Sequence, residues 1–172
     1  MELEHLLKDK TIKGKDKVVM VSQYLLDNKL TIEQLIEAAK KGKDPEKGTC
    51  IEAFEFATKT NPAIADEQLL NYVTETLKEK APRVKWESAK VIGNIAHLFP
   101  NKLDNAIVNL IDNSEDSGTV VRWAAAFALG EILKLKSGYN KELLPAIESI
   151  CAREESNSIK KIYLAAIKKV SK

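Results

Sequence analysis

The 172-residue chain holds two histidines, two cysteines and seven glycines, and it contains no Asn-Gly or Asp-Gly pair. Each shortage removes a class of protein. Without those dipeptides, and with Val, Ile and Thr scattered at helical spacing, the usual marks of β-hairpins are missing. Cys50 and Cys151 lie far apart in no paired motif, which speaks against a disulfide framework or a zinc site and for reduced thiols buried as small hydrophobes. His5 and His97 have no second histidine or cysteine at ligand spacing, so no metal site or histidine-based catalysis is expected. No Gly-x-Gly-x-x-Gly, Walker loop or Gly-x-Ser-x-Gly occurs, and no cofactor is expected. No apolar run approaches the roughly 20 residues of a membrane span. The opening MELEHLLKDK carries acids and no apolar core, so a secretory leader is not expected either. A cytoplasmic protein without membrane contact follows. The net charge of +2 is too small to announce a nucleic-acid binder.

Helix punctuation is plentiful. Thr31 and Gln34 form a capping box ahead of IEQLIEAAKKG, which closes at Gly42. Asn61-Pro62 sets a capping residue before a proline at the first helical position. Pro100-Asn101 ends one helix and starts another, and NSEDSG is a polar turn. The pattern predicts about ten helices, near residues 2–8, 15–28, 31–41, 47–60, 63–80, 82–99, 101–113, 118–136, 140–153 and 157–171.

The chain also repeats itself. RVKWESAKVIGNI (83–95) returns 37 residues later as VVRWAAAFALGEI (120–132), with Trp86, Ala89, Ile92, Gly93 and Ile95 answered by Trp123, Ala126, Leu129, Gly130 and Ile132. The partner helices follow the same period. Leu69, Leu70 and Val73 align with Ala106, Ile107 and Leu110, and these with Leu143, Leu144 and Ile147. TCIEAFEFA fits as an earlier first helix and NSIKKIYLAAIKKV as a final unpaired one. A two-helix unit of this period cannot bury its apolar face alone; stacked neighbours share one continuous core. The small residues Ala125, Ala126, Ala128 and Gly130 then allow close helix approach. The expected fold is all-α, a right-handed α-α superhelix of about four helical pairs in a single domain spanning 1–172. Residues 1–43 form diverged N-terminal helices and 44–172 the recognisable repeats.

At these residues the chain resembles the HEAT-repeat (armadillo-like) family. Val121, Arg122, Ala125, Ala126, Ala128, Leu129 and Gly130 match its Val-Arg…Ala-Ala…Ala-Leu-Gly helix, and Val84, Lys85, Ser88, Ala89, Val91, Ile92 and Gly93 match it conservatively. The resemblance implies a solenoid, with first helices on the outer, convex side and second helices on the concave side. It is nearly silent on function, because arrays of this kind serve as scaffolds, adaptors, transport receptors, lyases and DNA-repair enzymes. A HEAT-like DNA glycosylase uses tryptophans and an aspartate to hold alkylated bases. Trp86 and Trp123 invite that comparison, but the aspartate motif cannot be placed here, so no catalytic residue is carried over. Spacing instead suggests that both tryptophans pack between repeats.

Charge is uneven. The first helices 82–99 and 118–136 carry a basic excess, and the last helix holds Lys160, Lys161, Lys168, Lys169 and Lys172 with no acid. Second helices 63–80 and 101–116 are acidic. The non-catalytic reading is therefore a protein- or peptide-binding module. It uses the second-helix face through Gln68, Asn71, Glu75, Asn105, Asn109, Asp112 and Glu148, which lie opposite the apolar stripe. An acidic row repels phosphates, so nucleic acid is an unlikely ligand there. The alternative is nucleic-acid binding by the lysine-rich last helix or as a diverged glycosylase relative. Oligomerisation through a terminal repeat is a third possibility. Across the turn, Arg122 is expected to pair with Asp112 or Asp116.

Overall fold

The structure, a computed structural model, describes residues 2–171. Met1 and Lys172 fall outside the described residues, and with Lys172 the fifth lysine of the last helix. Ten α-helices occur and no strand among the described residues. They are α1 (Glu2–Lys8), α2 (Gly14–Leu26), α3 (Ile32–Lys41), α4 (Asp44–Thr60), α5 (Glu67–Thr76), α6 (Pro82–Ile95), α7 (Asp104–Asn113), α8 (Thr119–Lys134), α9 (Asn140–Arg153) and α10 (Asn157–Val170).

Local chemistry accounts for the boundaries. The capping box forms as expected: Gln34 N–H donates to Thr31 Oγ1 at 3.0 Å, and Thr31 N–H to Gln34 Oε1 at 2.9 Å. Asn61 does accept from Ala63 N–H at 3.3 Å, but it caps only a 3-10 turn over Pro62–Ile64. Asp66 then accepts from Leu69 N–H at 2.9 Å and starts α5, so the helix expected over 63–80 runs only from Glu67 to Thr76. Asn101 is not the cap of α7. There the Leu103 N–H donates to Tyr139 Oη at 3.0 Å, and that hydroxyl donates to Asp104 Oδ2 at 2.7 Å, a cap supplied from the next repeat.

The helices form two layers. In one, α2, α4, α6, α8 and α10 pack each against the next; in the other, α3, α5, α7 and α9 barely touch one another. A single buried apolar cluster runs between them from Leu3 to Ala166. Leu69, Leu70 and Val73, Ala106 and Leu110, and Leu143 and Ile147 are all buried in it, and Ile107 and Leu144 pack on its edge, as the repeat pattern requires.

Two glycines at equivalent positions explain the tight layer. A Cβ on Gly93 would run into the ring of Phe127 from α8, so only glycine lets that ring in. Gly130 faces Ala166 and Ile162 of α10, where a Cβ would meet Ala166 Cβ at 3.5 Å, an ordinary contact.

Charge ties the units together at the same period. Lys47 pairs with Glu79 at 2.8 Å, Lys85 with Asp116 at 3.6 Å, and Arg122 with Glu154 at 3.2 Å. Each rung joins a base on one helix of the tight layer to an acid in the turn before the next. The expected Arg122 pair with Asp112 or the Asp116 carboxylate does not form. Arg122 instead forks onto Glu154, at 3.2 Å from Nε and 3.3 Å from Nη2, and its Nη1 donates to the backbone oxygens of Asp116 and Ser117. The acid comes from the following turn because that turn, not the preceding one, closes over the guanidinium. Asp116 is left to Lys85 and to the Gly118 N–H.

Candidate functional site

The splayed layer carries the row of residues singled out from the sequence. Gln68, Asn71, Glu75, Asn105, Asp112 and Glu148 are exposed on α5, α7 and α9. Gln68, Asn71 and Glu75 come together with Ile36, Lys40, Tyr72, Thr76 and Glu79 around a groove of about 520 Å³ between α3 and α5. Glu75 already pairs with Lys78 at 3.0 Å. Asn109 is half-buried and donates to the Thr74 carbonyl at 3.0 Å; Asn113 does the same for Leu77 at 3.1 Å. These two amides satisfy carbonyls at the C-terminal end of α5, so Asn109 stitches repeats together.

The tight layer presents a different surface. Its solvent stripe on α8 is Val120, Trp123, Phe127, Glu131 and Lys134, and on α6 the same register holds Arg83, Trp86, Lys90, Asn94 and His97. Trp123 is 39% exposed, and its ring stacks on that of Phe127, with centroids 6.0 Å apart and planes 9° from parallel. The two tryptophans therefore part company. Trp86 is half-buried against the core and donates from Nε1 to Glu87 Oε2 at 3.3 Å. Trp123 does not sit buried between repeats. Sequence periodicity missed this because α8 is apolar nearly all round, so no polar face marks its solvent side.

Beside Trp86 lies a dense charge cluster. Arg83 pairs with Glu52 at 2.8 Å; Lys90 lies 3.2 Å from Glu87 and 3.9 Å from Glu55. Glu55 and Glu87 are buried. Lys90 is off line for hydrogen bonding to Glu87 Oε1, which accepts no hydrogen bond among the described residues. Burial pushes the Glu87 carboxyl above its ordinary value, Lys90 opposes this, and Glu52 and Glu55 reinforce it. Asn94 completes the junction by donating to the Glu55 carbonyl and to Thr58 Oγ1, each at 3.2 Å. The basic excess of these helices is thus largely spent on pairs between repeats.

The remaining titratable candidates are unremarkable in geometry. Cys50 is buried and its thiol is pushed up to about 12, chiefly by burial, which leaves no thiolate at neutral pH. Cys151 is buried as well, and His5 and His97 are exposed. Among the described residues no group of three His, Cys, Asp or Glu is placed to hold a metal ion, and no helix is long and apolar enough to cross a membrane.

No known protein family and no curated protein matches the chain. Solved structures do. A computationally designed armadillo repeat protein for modular peptide recognition superposes with a TM-score of 0.74 at 16% identity, over 97% of this chain and 80% of that one. This chain has an armadillo-like repeat fold. A designed armadillo repeat protein in complex with the peptide (KR)4 gives 0.66 at 16% identity, over 97% and 80% of the two chains. A third designed armadillo repeat protein gives 0.60 at 17%, over 98% and 80%. At these identities the likeness concerns the fold alone.

Proposed function

We propose that the protein is a non-catalytic scaffold that binds a protein segment along the tight layer, with Trp123 at the centre of the contact. The observation that carries this is the exposed, stacked Trp123–Phe127 pair flanked by Val120. Large aromatics left on a folded surface are the residues that most often dominate protein interfaces. Stacking also holds both rings in place before a ligand arrives, which lowers the ordering cost of binding. Two of the solved neighbours are described as recognising or holding peptides, which agrees with such a role.

Layer spacing supports the choice of face. A two-layer stack whose helices lie closer in one layer bends toward that layer, and here the close layer is α2–α4–α6–α8–α10. We therefore place the inner side of the curve at Trp86 and Trp123, rather than at the second helices.

A second reading keeps the splayed layer as the docking face, favoured by the groove that Gln68, Asn71 and Glu75 share with α3. Asn105, Asp112 and Glu148 would extend it along α7 and α9. Affinity capture from the native cell separates the two. Partners retained by the wild-type protein and lost by Trp123→Ala support the aromatic face. Partners lost instead by a variant with Gln68, Glu75 and Asp112 changed to alanine place the contact on the other layer.

A further inference from the structure

The two ends of the array are complementary to each other. The edge of α10 facing away from α8 carries Lys160, Leu164, Lys168 and Ser171, where α8 has Arg122, Ala126, Gly130 and Leu133 beneath α10. Leu164 stands 55% exposed on it. At the opposite end, the face of α2 turned away from α4 carries Asp16, Val19, Met20, Gln23, Tyr24 and Asp27, one stripe at helical spacing and exposed throughout. Val19 is 51% exposed, and Met20 and Tyr24 are each 36% exposed. Met20 and Tyr24 form one wall of a groove of about 600 Å³ whose other walls are Leu3, Leu6 and Leu30.

One end thus reads base–leucine–base and the other acid–apolar–acid. Within the layer every helix from α4 to α8 is covered on both sides by its neighbours, while α2 and α10 are each covered on one side by the described residues. Stacking a further unit in the same direction would lay α10 parallel to an α2. Lys160 then falls at the level of Asp16, Leu164 at Val19 and Met20 over the apolar groove, and Lys168 at Gln23 and Asp27. This is the same kind of junction as the rung between Arg122 and Glu154, a base on one helix held by an acid of the next unit.

We propose that a second copy of this chain continues the array head to tail, the α10 edge of one copy seated on the α2 edge of the next. Such an interface is heterologous, so both ends stay available and assembly is open-ended. Apolar contact at Leu164 supplies the attraction, and the lysine–aspartate pairs set direction and register. The inference is independent of the peptide reading, because it needs no ligand.

The test is the mass of the full chain in solution, by sedimentation equilibrium from micromolar to near-millimolar concentration, without added ligand. The wild-type mass is expected to climb steadily past that of a dimer. Met20→Glu blocks one end and Leu164→Glu the other, and each alone is expected to remain at monomer mass with an unchanged helical circular dichroism spectrum. Mixed in equal amounts they should form a dimer and nothing larger, since each keeps one intact end. A wild-type protein that stays monomeric across the range overturns the proposal. So does self-association that survives in either single variant, the mark of a two-fold contact, or a mixture that fails to pair.

Discussion

Gly93 lies directly under the ring of Phe127, one repeat further along the chain, with no room for a side chain between them. Its equivalent, Gly130, meets only Ala166 and Ile162 at ordinary contact distance. Two glycines at matching positions of the repeat should thus respond in opposite ways to the same change. Gly93→Ala gains helix propensity but overpacks the α6–α8 contact, for a net loss of about 1–2 kcal/mol. Gly130→Ala keeps the propensity gain of up to about 1 kcal/mol with little clash and should stabilise. Urea denaturation of both variants checks the pair; equal effects would mean that Phe127 does not fill the notch.

Arg122 and Glu154 form the rung that closes the C-terminal junction, and Glu154 is nearly inaccessible to solvent. Burial alone would raise the Glu154 carboxyl, but the Ser156 N–H and Arg122 outweigh it, so the group titrates below its ordinary range. A depressed carboxyl contributes stability that is present above its unfolded pKa and is lost as pH falls through the folded value. Arg122→Met should therefore cost about 2 kcal/mol near neutrality, and the difference from wild type should shrink as the solution is taken below pH ~4. Paired denaturation curves at neutral and acid pH measure it. A pH-independent difference would assign the loss to packing of the arginine stem.

Glu87 behaves in the reverse sense. Its folded pKa is raised above the unfolded one, so the protonated form favours folding and the contribution disappears as pH rises through the folded value. Glu87→Gln keeps the shape, leaves Glu52 and Glu55 to balance Arg83 and Lys90, and should raise stability by about 1 kcal/mol at neutral pH. The gain should vanish toward pH ~4, where the wild-type carboxyl is protonated. A variant less stable than wild type at neutral pH would show that the Lys90 pair outweighs desolvation.

The tryptophans should separate under truncation. Trp86 packs on the core, and Trp86→Ala is expected to cost about 2–4 kcal/mol. Trp123 has an open face, and Trp123→Ala should cost under about 1 kcal/mol. Chemical denaturation of the two variants decides; a large loss at Trp123 would make it a structural residue.

Much of the fold was legible because it rests on local rules. Thr31 with Gln34, Asp66 ahead of α5, and the 37-residue return of Gly93 as Gly130 depend only on neighbours in sequence or on repetition. What could not be read depends on contacts between units. Nothing in NSEDSG says that Arg122 will reach forward to Glu154 instead of back to Asp116. Asn109 looks like a free amide until Thr74 of the preceding repeat stands over it. Trp123 follows the spacing of a core residue, and only the packing of α6 and α10 around an almost wholly apolar helix decides which side of α8 faces water.

The central assignment, a binding face built on Trp123 and Phe127, is tested most directly with peptides selected from a random display library on the wild-type protein. Their affinities are then compared on Trp123→Ala and on a variant with Asn105 and Asp112 changed to alanine, both confirmed as folded. The predicted result is a loss of at least about tenfold on Trp123→Ala, equivalent to about 1.4 kcal/mol, with the Asn105/Asp112 variant unchanged. Peptides that bind Trp123→Ala as tightly as wild type, and fail on the Asn105/Asp112 variant, would contradict it and move the binding face to the opposite layer.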